Sequence, residues 1–104
     1  MAFSKAGALY TQSVTGTAGA IGSTNIPSGA SYAEGYVRTA SVVFTTDGTT
    51  DPTATKGTQA DNGDTILLRS AQEIADFKAI RQTGTSGSID WEFYTVAVPV
   101  SVVY

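Results

Sequence analysis

The chain has 104 residues, 41% of them hydrophobic and only 14% charged, with a formal charge of −3. That length holds one domain with a modest core, residues 1–104, and its six dispersed Lys and Arg form no basic stripe able to neutralise a run of phosphates. With neither cysteine nor histidine, disulfides, thiol chemistry, the usual zinc ligands and any Ser-His-Asp arrangement are excluded.

The low charge also leaves a surface that a neighbour can cover without desolvating many ions. No apolar run is long enough for a signal peptide or a membrane span, so no membrane partner is expected and synthesis and folding in a cytoplasm are.

In chain order, Ala8 to Val14 (ALYTQSV) alternates weakly and makes a plausible first strand. Gly16, Gly19 and Gly22 then mark a loop, followed by a short strand near Ile21 to Ile26 and a turn at Pro27-Ser28-Gly29. SYAEGYVRT reads as a strand with Tyr32, Glu34, Tyr36 and Arg38 on one side. Ala40 to Thr46 (ASVVFTT) is the strongest strand signal, closed by an Asp47-Gly48 turn. Thr49 to Asp64 has almost no large apolar side chain and exceeds the usual length of a connection, so it is expected to be a surface loop. Thr65 to Ser70 (TILLRS) reads as a compact buried strand.

SAQEIADFKAIRQTG, Ser70 to Gly84, interrupts this pattern. Ser70 and Glu73 make a capping box, and Ile74, Phe77 and Ile80 recur at near-helical spacing. One parse is a helix through Gly84. The other is a single helical turn over Ala71 to Asp76, then a strand over Phe77 to Thr83 and a TGTSG hairpin loop. The second explains both Gly84 and Gly87 and is preferred. Ser88 to Val96 alternates cleanly, with Ile89, Trp91 and Phe93 on one side and Asp90, Glu92 and Tyr94 on the other. The tail AVPVSVVY, Ala97 to Tyr104, is apolar and β-prone. Its Pro99 suits an edge, where the strand would pair with another molecule or dock on its own sheet.

The expected fold is all-β: a single antiparallel β-sandwich, jelly-roll or Ig-like, of about seven or eight short strands, with one helical turn near 71–76. The expected core is Val42, Phe44, Ile66, Leu68, Ile74, Phe77, Ile80, Ile89, Trp91 and Phe93.

Little in the sequence points to chemistry, and no catalytic residue or cofactor is expected. Asp90 and Glu92, two apart on a strand, share a face as some glycosidase acids do, but carboxylates so placed more often form a solvated face. Asp47, Asp51, Asp61 and Asp64 gather in or beside the long loop without calcium-loop spacing, and read as turn residues rather than metal ligands. Tyr32, Tyr36 and Tyr94 are candidates for exposed contact, with a sugar platform as one possible use.

The succession SVVFTTDGTTDPTATKGTQADNGDTILLRSAQEIADFKAIRQTGTSGSIDWEFY, Ser41 to Tyr94, resembles a group of small structural proteins of tailed bacteriophages. The resemblance rests on a strand followed by a D-G-T-x-P-T-like turn, a G-D-T-I-like strand entry, an S-A-x-E-I-x-x-F-x-A-I-R segment and a final strand. It implies a small sandwich on the virion that decorates or cements the head by binding the major capsid protein, with no enzymatic role, as a homo-oligomer (dimer or trimer). Residues 1–10 and 97–104 would be extended arms. The expected contacts are Phe3, Leu9 and Tyr10 on the N-terminal arm, Val98, Val100, Val102 and Tyr104 on the C-terminal one, and Tyr32 and Tyr36 on the sheet. A tail, baseplate or head–tail joining component is the rival within the same particle, and a carbohydrate-binding adhesion module the rival outside it.

Overall fold

Strict alternation builds the two longest strands. β4 (Tyr32–Arg38) buries Ala33, Gly35 and Val37, and β9 (Gly87–Ala97) buries Ile89, Trp91 and Phe93. The computed structural model describes residues 2–97. β9 is the hub of the first sheet. On one side it pairs with β4 from Tyr32↔Tyr94 to Arg38↔Ser88, and β4 pairs in turn with β7 (Thr65–Leu68). On the other side two strands share its edge in succession: β1 (Ala2–Lys5) along Tyr94–Ala97 and β2 (Tyr10–Val14) along Gly87–Trp91. The second sheet runs β3 (Gly19–Ala20), β8 (Lys78–Arg81), β5 (Val42–Thr45), β6 (Thr58–Ala60). Every pairing is antiparallel, and the fold is an all-β sandwich.

Between the sheets lies a file of aromatic rings. Phe77 meets Trp91 edge-on at 4.9 Å and 81°, Phe44 stacks on Phe77 at 5.5 Å, and Phe93 stacks beyond Trp91 at 6.5 Å. Trp91 fits because β4 carries a glycine where its ring crosses. A Cβ on Gly35 would lie 2.6 Å from Cζ3 of Trp91 and 2.7 Å from Cγ2 of Ile89. The indole is satisfied at its polar end: Nε1–H donates to Gln12 Oε1 at 2.9 Å, and Gln12 Nε2 donates to the Gly19 carbonyl at 3.1 Å. This relay ties β9 to β2 and β3, across the two sheets. A backbone bond, Arg81 N–H to the Thr15 carbonyl at 2.9 Å, closes the same side.

The short helix α1 (Ala71–Asp76) takes the bounds of the expected turn. Ser70 is its N-cap and accepts the Glu73 N–H at 3.1 Å, while Glu73 Oε1 reaches back to the Arg69 N–H at 2.8 Å. Ile74 is buried and plugs one end of the sandwich beside β4 and β7. Phe77 is the C-cap, already extended, so the chain turns straight into β8.

Several expectations are corrected. TGTSG is not a hairpin loop, because β8 and β9 lie in different sheets; Phe77 and Trp91 must face each other across the core rather than lie side by side. Gly87 answers to crowding: a Cβ there would sit 2.8 Å from the Ala40 carbonyl oxygen. Ile80 is outside the core cluster. It alternates with Ala79 and sits opposite Val43 on the outer face of the second sheet, where the loop at Gly57 lies on Val43. Phe44 is only partly buried. Ile21 to Ile26 is no strand: Gly22 takes φ +93° and a 3-10 turn, Ser23–Asn25, follows, held by Asn25 Nδ2 on the Ile21 carbonyl at 2.9 Å. The long loop holds β6, invisible to periodicity since only Ala60 is buried and carries an apolar side chain. TILLRS is half-buried, with Leu67 41% exposed. The described residues thus hold nine strands rather than seven or eight.

Gly35→Ala is expected to destabilise the domain by about 1–3 kcal/mol through overpacking against rigid rings. Ser70→Ala should cost about 1 kcal/mol through loss of the cap. Denaturant melts of the two variants check both values.

Candidate functional site

β4 and β9 are adjacent and both present alternate polar residues outward, so the outer face of the first sheet collects Tyr32, Glu34, Tyr36 and Arg38 against Asp90, Glu92 and Tyr94. The register places Glu34 directly opposite Glu92. Two like charges at that position repel, and the surrounding groups offset the repulsion. Three phenols converge on the two carboxylates. Tyr36 donates to Glu34 Oε1 at 3.1 Å and Tyr32 to Glu34 Oε2 at 3.3 Å, while the Tyr94 hydroxyl lies 2.8 Å from Glu92 Oε2 and 3.4 Å from Glu34 Oε1. Lys5 of β1 completes the cluster, 3.3 Å from Glu92. Beside it, Asp90 accepts from Thr11 Oγ1 at 2.7 Å and from Arg38 Nε at 2.6 Å.

The titration behaviour follows from these contacts. The hydrogen bond to Glu92 holds the Tyr94 phenol well above its ordinary pKa, with burial and the glutamate charges adding to it. Glu34 raises Tyr36 chiefly by the hydrogen bond, and burial followed by the Glu34 charge raises Tyr32. On the acid side, Tyr94 and then Lys5 hold Glu92 below the ordinary carboxylate range, and Thr11 and Arg38 do the same for Asp90. Asp90 and Glu92 do share a face, as their spacing implies. Each is kept ionised by its own donors, so neither is poised as a general acid. What the face offers is fixed aromatic edges and carboxylates in a mostly neutralised array.

The four loop aspartates do not converge. Asp47 caps its own turn, accepting the Thr49 and Thr50 N–H groups, and its hydrogen bonds, that to Thr50 foremost, lower its pKa to about 2. Asp51 pairs with Lys78 at 2.9 Å. Asp61 accepts from Ser41 and Gln59, and Asp64 accepts the Asp61 N–H. Among the described residues no three His, Cys, Asp or Glu side chains are gathered as metal ligands. No helix among them is long and apolar enough to cross a membrane.

The remaining expected contacts fall in different places. Tyr32 and Tyr36 are on the tyrosine–carboxylate face, half-buried. Tyr10 packs against the core, opposite Trp91 in the register, and Leu9 beside it is 55% exposed. The backbone of Phe3 pairs with Val96. Val98, Val100, Val102 and Tyr104 lie outside the described residues. Reading Tyr94 and the other tyrosines as separate contacts missed their shared acceptors. The signal was there: Glu-x-Tyr occurs in both strands, as Glu34–Tyr36 and Glu92–Tyr94, and in-register pairing brings the two copies together.

No protein-family model, curated protein or solved structure matches the chain.

The pH dependence of stability follows from these shifts. The lowered carboxylates Glu92, Asp90 and Asp47 contribute stability that is fully present above the ordinary carboxylate range and is lost as pH falls from about 4 toward 2. The raised tyrosines contribute stability present below about pH 10 and lost as pH climbs beyond it. Thermal melts across pH should therefore show a plateau with declines on both flanks. In Glu34→Gln, the ultraviolet phenolate titration of Tyr36 should move toward the ordinary value.

Proposed function

We propose that this protein is a non-enzymatic structural component of a tailed-phage virion, one that decorates or cements the head by binding the major capsid protein. One structural observation carries the reading furthest. β4 ends its pairing with β9 at Tyr94, while β1 pairs with Tyr94–Ala97. Thr95–Ala97 and β1 thus form a two-stranded arm beyond β4. A decorating protein needs such an arm to reach a neighbouring subunit, and it needs a body stable without disulfides. The resemblance of Ser41–Tyr94 to small tailed-phage structural proteins points the same way. Low charge suits a surface covered by its neighbour, and many weak contacts repeated over a shell reinforce one another.

The carbohydrate reading has less behind it. The Tyr32 and Tyr94 rings, 5.7 Å apart, are tilted by 55° rather than coplanar, a poor platform for a flat sugar face. A position in the tail or the head–tail joint differs from decoration in copy number.

Cryo-electron microscopy of purified particles tests the proposal. Density for the sandwich repeated across the shell is expected; a single ring of copies at the tail or its joint, or no density at all, overturns it. Because residues 97–104 hold no charged side chain and residues 1–10 only that of Lys5, attachment should vary little between low and high salt. Retention on particles washed over a salt series measures this.

A further inference from the structure

The two sides of the sandwich differ. On the β2/β3 side, Gln12 and the Arg81–Thr15 bond join the sheets. On the opposite side β6 and β7 end their sheets, and among the described residues no backbone hydrogen bond reaches the outer edge of either. Between them lies an open cleft of about 390 Å³, where Phe44, Ala60 and Ile66 sit within a largely polar wall that includes Gln59, Asp64 and Arg69. Leu67, opposite Glu34, turns its side chain to the outer face, so it is Ile66 that faces the cleft.

The edge of β7 has a definite pattern. Val37 N–H donates to the Asp64 carbonyl and the Val37 carbonyl accepts the Gly63 N–H, a bulge in which both backbone groups of Val37 face the β7 side. Alternation along the ladder then directs the N–H and C=O of Ile66 toward β4, and those of Thr65 and Leu67 outward. An incoming parallel strand would place one residue level with Ile66, bonded to the Thr65 carbonyl and the Leu67 N–H, its side chain facing the cleft.

Residues 98–104 read VPVSVVY. With Val98, Val100 and Val102 bonded to β7, their side chains share the cleft face, and Pro99 falls at the outer edge, where its missing N–H costs nothing. An antiparallel register with the same valines inward would aim Pro99 at β7 and lose a bond.

The tail of the same molecule cannot make this contact. Leu68 pairs with Ala33, which pairs with Phe93, so from Ala97 the tail must return about 14 Å along the sheet to come level with Leu68. It must also cross three strand spacings, about 14 Å more, to lie outside β7. That diagonal is about 20 Å, against a full reach of about 24 Å for seven residues, and leaves almost nothing to pair.

We propose that residues 98–104 of a second copy add as a parallel strand to the outer edge of β7, their valines covering the cleft. The recognition is strand addition: backbone bonds give affinity and alternate side chains give register. It stands independently of the capsid reading, since it needs no other protein.

Sedimentation and light scattering of the purified full chain, beside a chain ending at Ala97, test it. Concentration-dependent association of the full chain is expected, with the shortened chain monomeric and its cooperative melt retained. Leu67→Pro, which removes an outward N–H without touching the β4 ladder, should weaken association at least about tenfold. A synthetic peptide of residues 98–104, added to the shortened chain, should slow amide exchange at Leu67. This last measurement needs no variant in β7. A full chain that stays monomeric at millimolar concentration overturns the proposal. So does equal association of the shortened chain, a melt that loses cooperativity on shortening, or a peptide that leaves Leu67 exchange unchanged.

Discussion

Trp91 occupies the space that Gly35 leaves open, and most of the fold is arranged around that fit. Its ring meets Phe77, the residue that leads into β8 of the facing sheet, and through Phe77 it is linked to Phe44. Its one polar atom would be costly to bury alone, and Gln12 takes it up while holding the neighbouring β3 by the Gly19 carbonyl. A single side chain therefore fixes the spacing of the sheets, the placement of the second strand and the closure of one side. With no disulfide or metal centre described, such packing and satisfied polarity must suffice.

The outer face of the first sheet is held by different physics. Two glutamates stand opposite one another where the ladder would favour opposite charges. Phenolic hydroxyls and one lysine solvate that charge, so the face is ordered, with three carboxylates held against two cations. Low charge in the composition is thus matched by a surface on which many of the charges are already paired. A partner settling against that sheet would meet aromatic edges and satisfied carboxylates, with few ions to desolvate.

How much of this was legible in the sequence depends on what each signal encodes. Strand alternation in SYAEGYVRT and SIDWEFYTV and the cap at Ser70 are local, and the structure follows them residue by residue. Which strands lie side by side is not local. Phe77–Thr83 and Ser88–Val96 look like a hairpin because they are consecutive, yet their apolar faces oppose one another across the core. β6 escaped notice because Thr58 and Gln59 carry no apolar stripe; pairing with β5 makes it a strand. Ile80 was drawn into the core by a helical spacing that the chain abandons at Phe77. The tyrosine–carboxylate face was half legible, since its residues alternate in sequence but meet only through the β4–β9 register.

The position of β9 has a consequence for how the molecule comes into being. Among the described residues this strand, Gly87–Ala97, is the sole link between the N-terminal strands and β4 in the first sheet. β1 therefore has no partner until a segment some ninety residues later has been made, as the Ala2↔Ala97 pairing requires. Helix α1 and the β5–β6 pair can form earlier, from nearby sequence, but the central strand of the larger sheet arrives last. Contacts of such long sequence separation slow folding, and here they also postpone it until residue 97 has cleared the ribosome. Until then the apolar faces of β2 and β4 stay uncovered, which makes the nascent chain a client for whatever shields hydrophobic segments during synthesis.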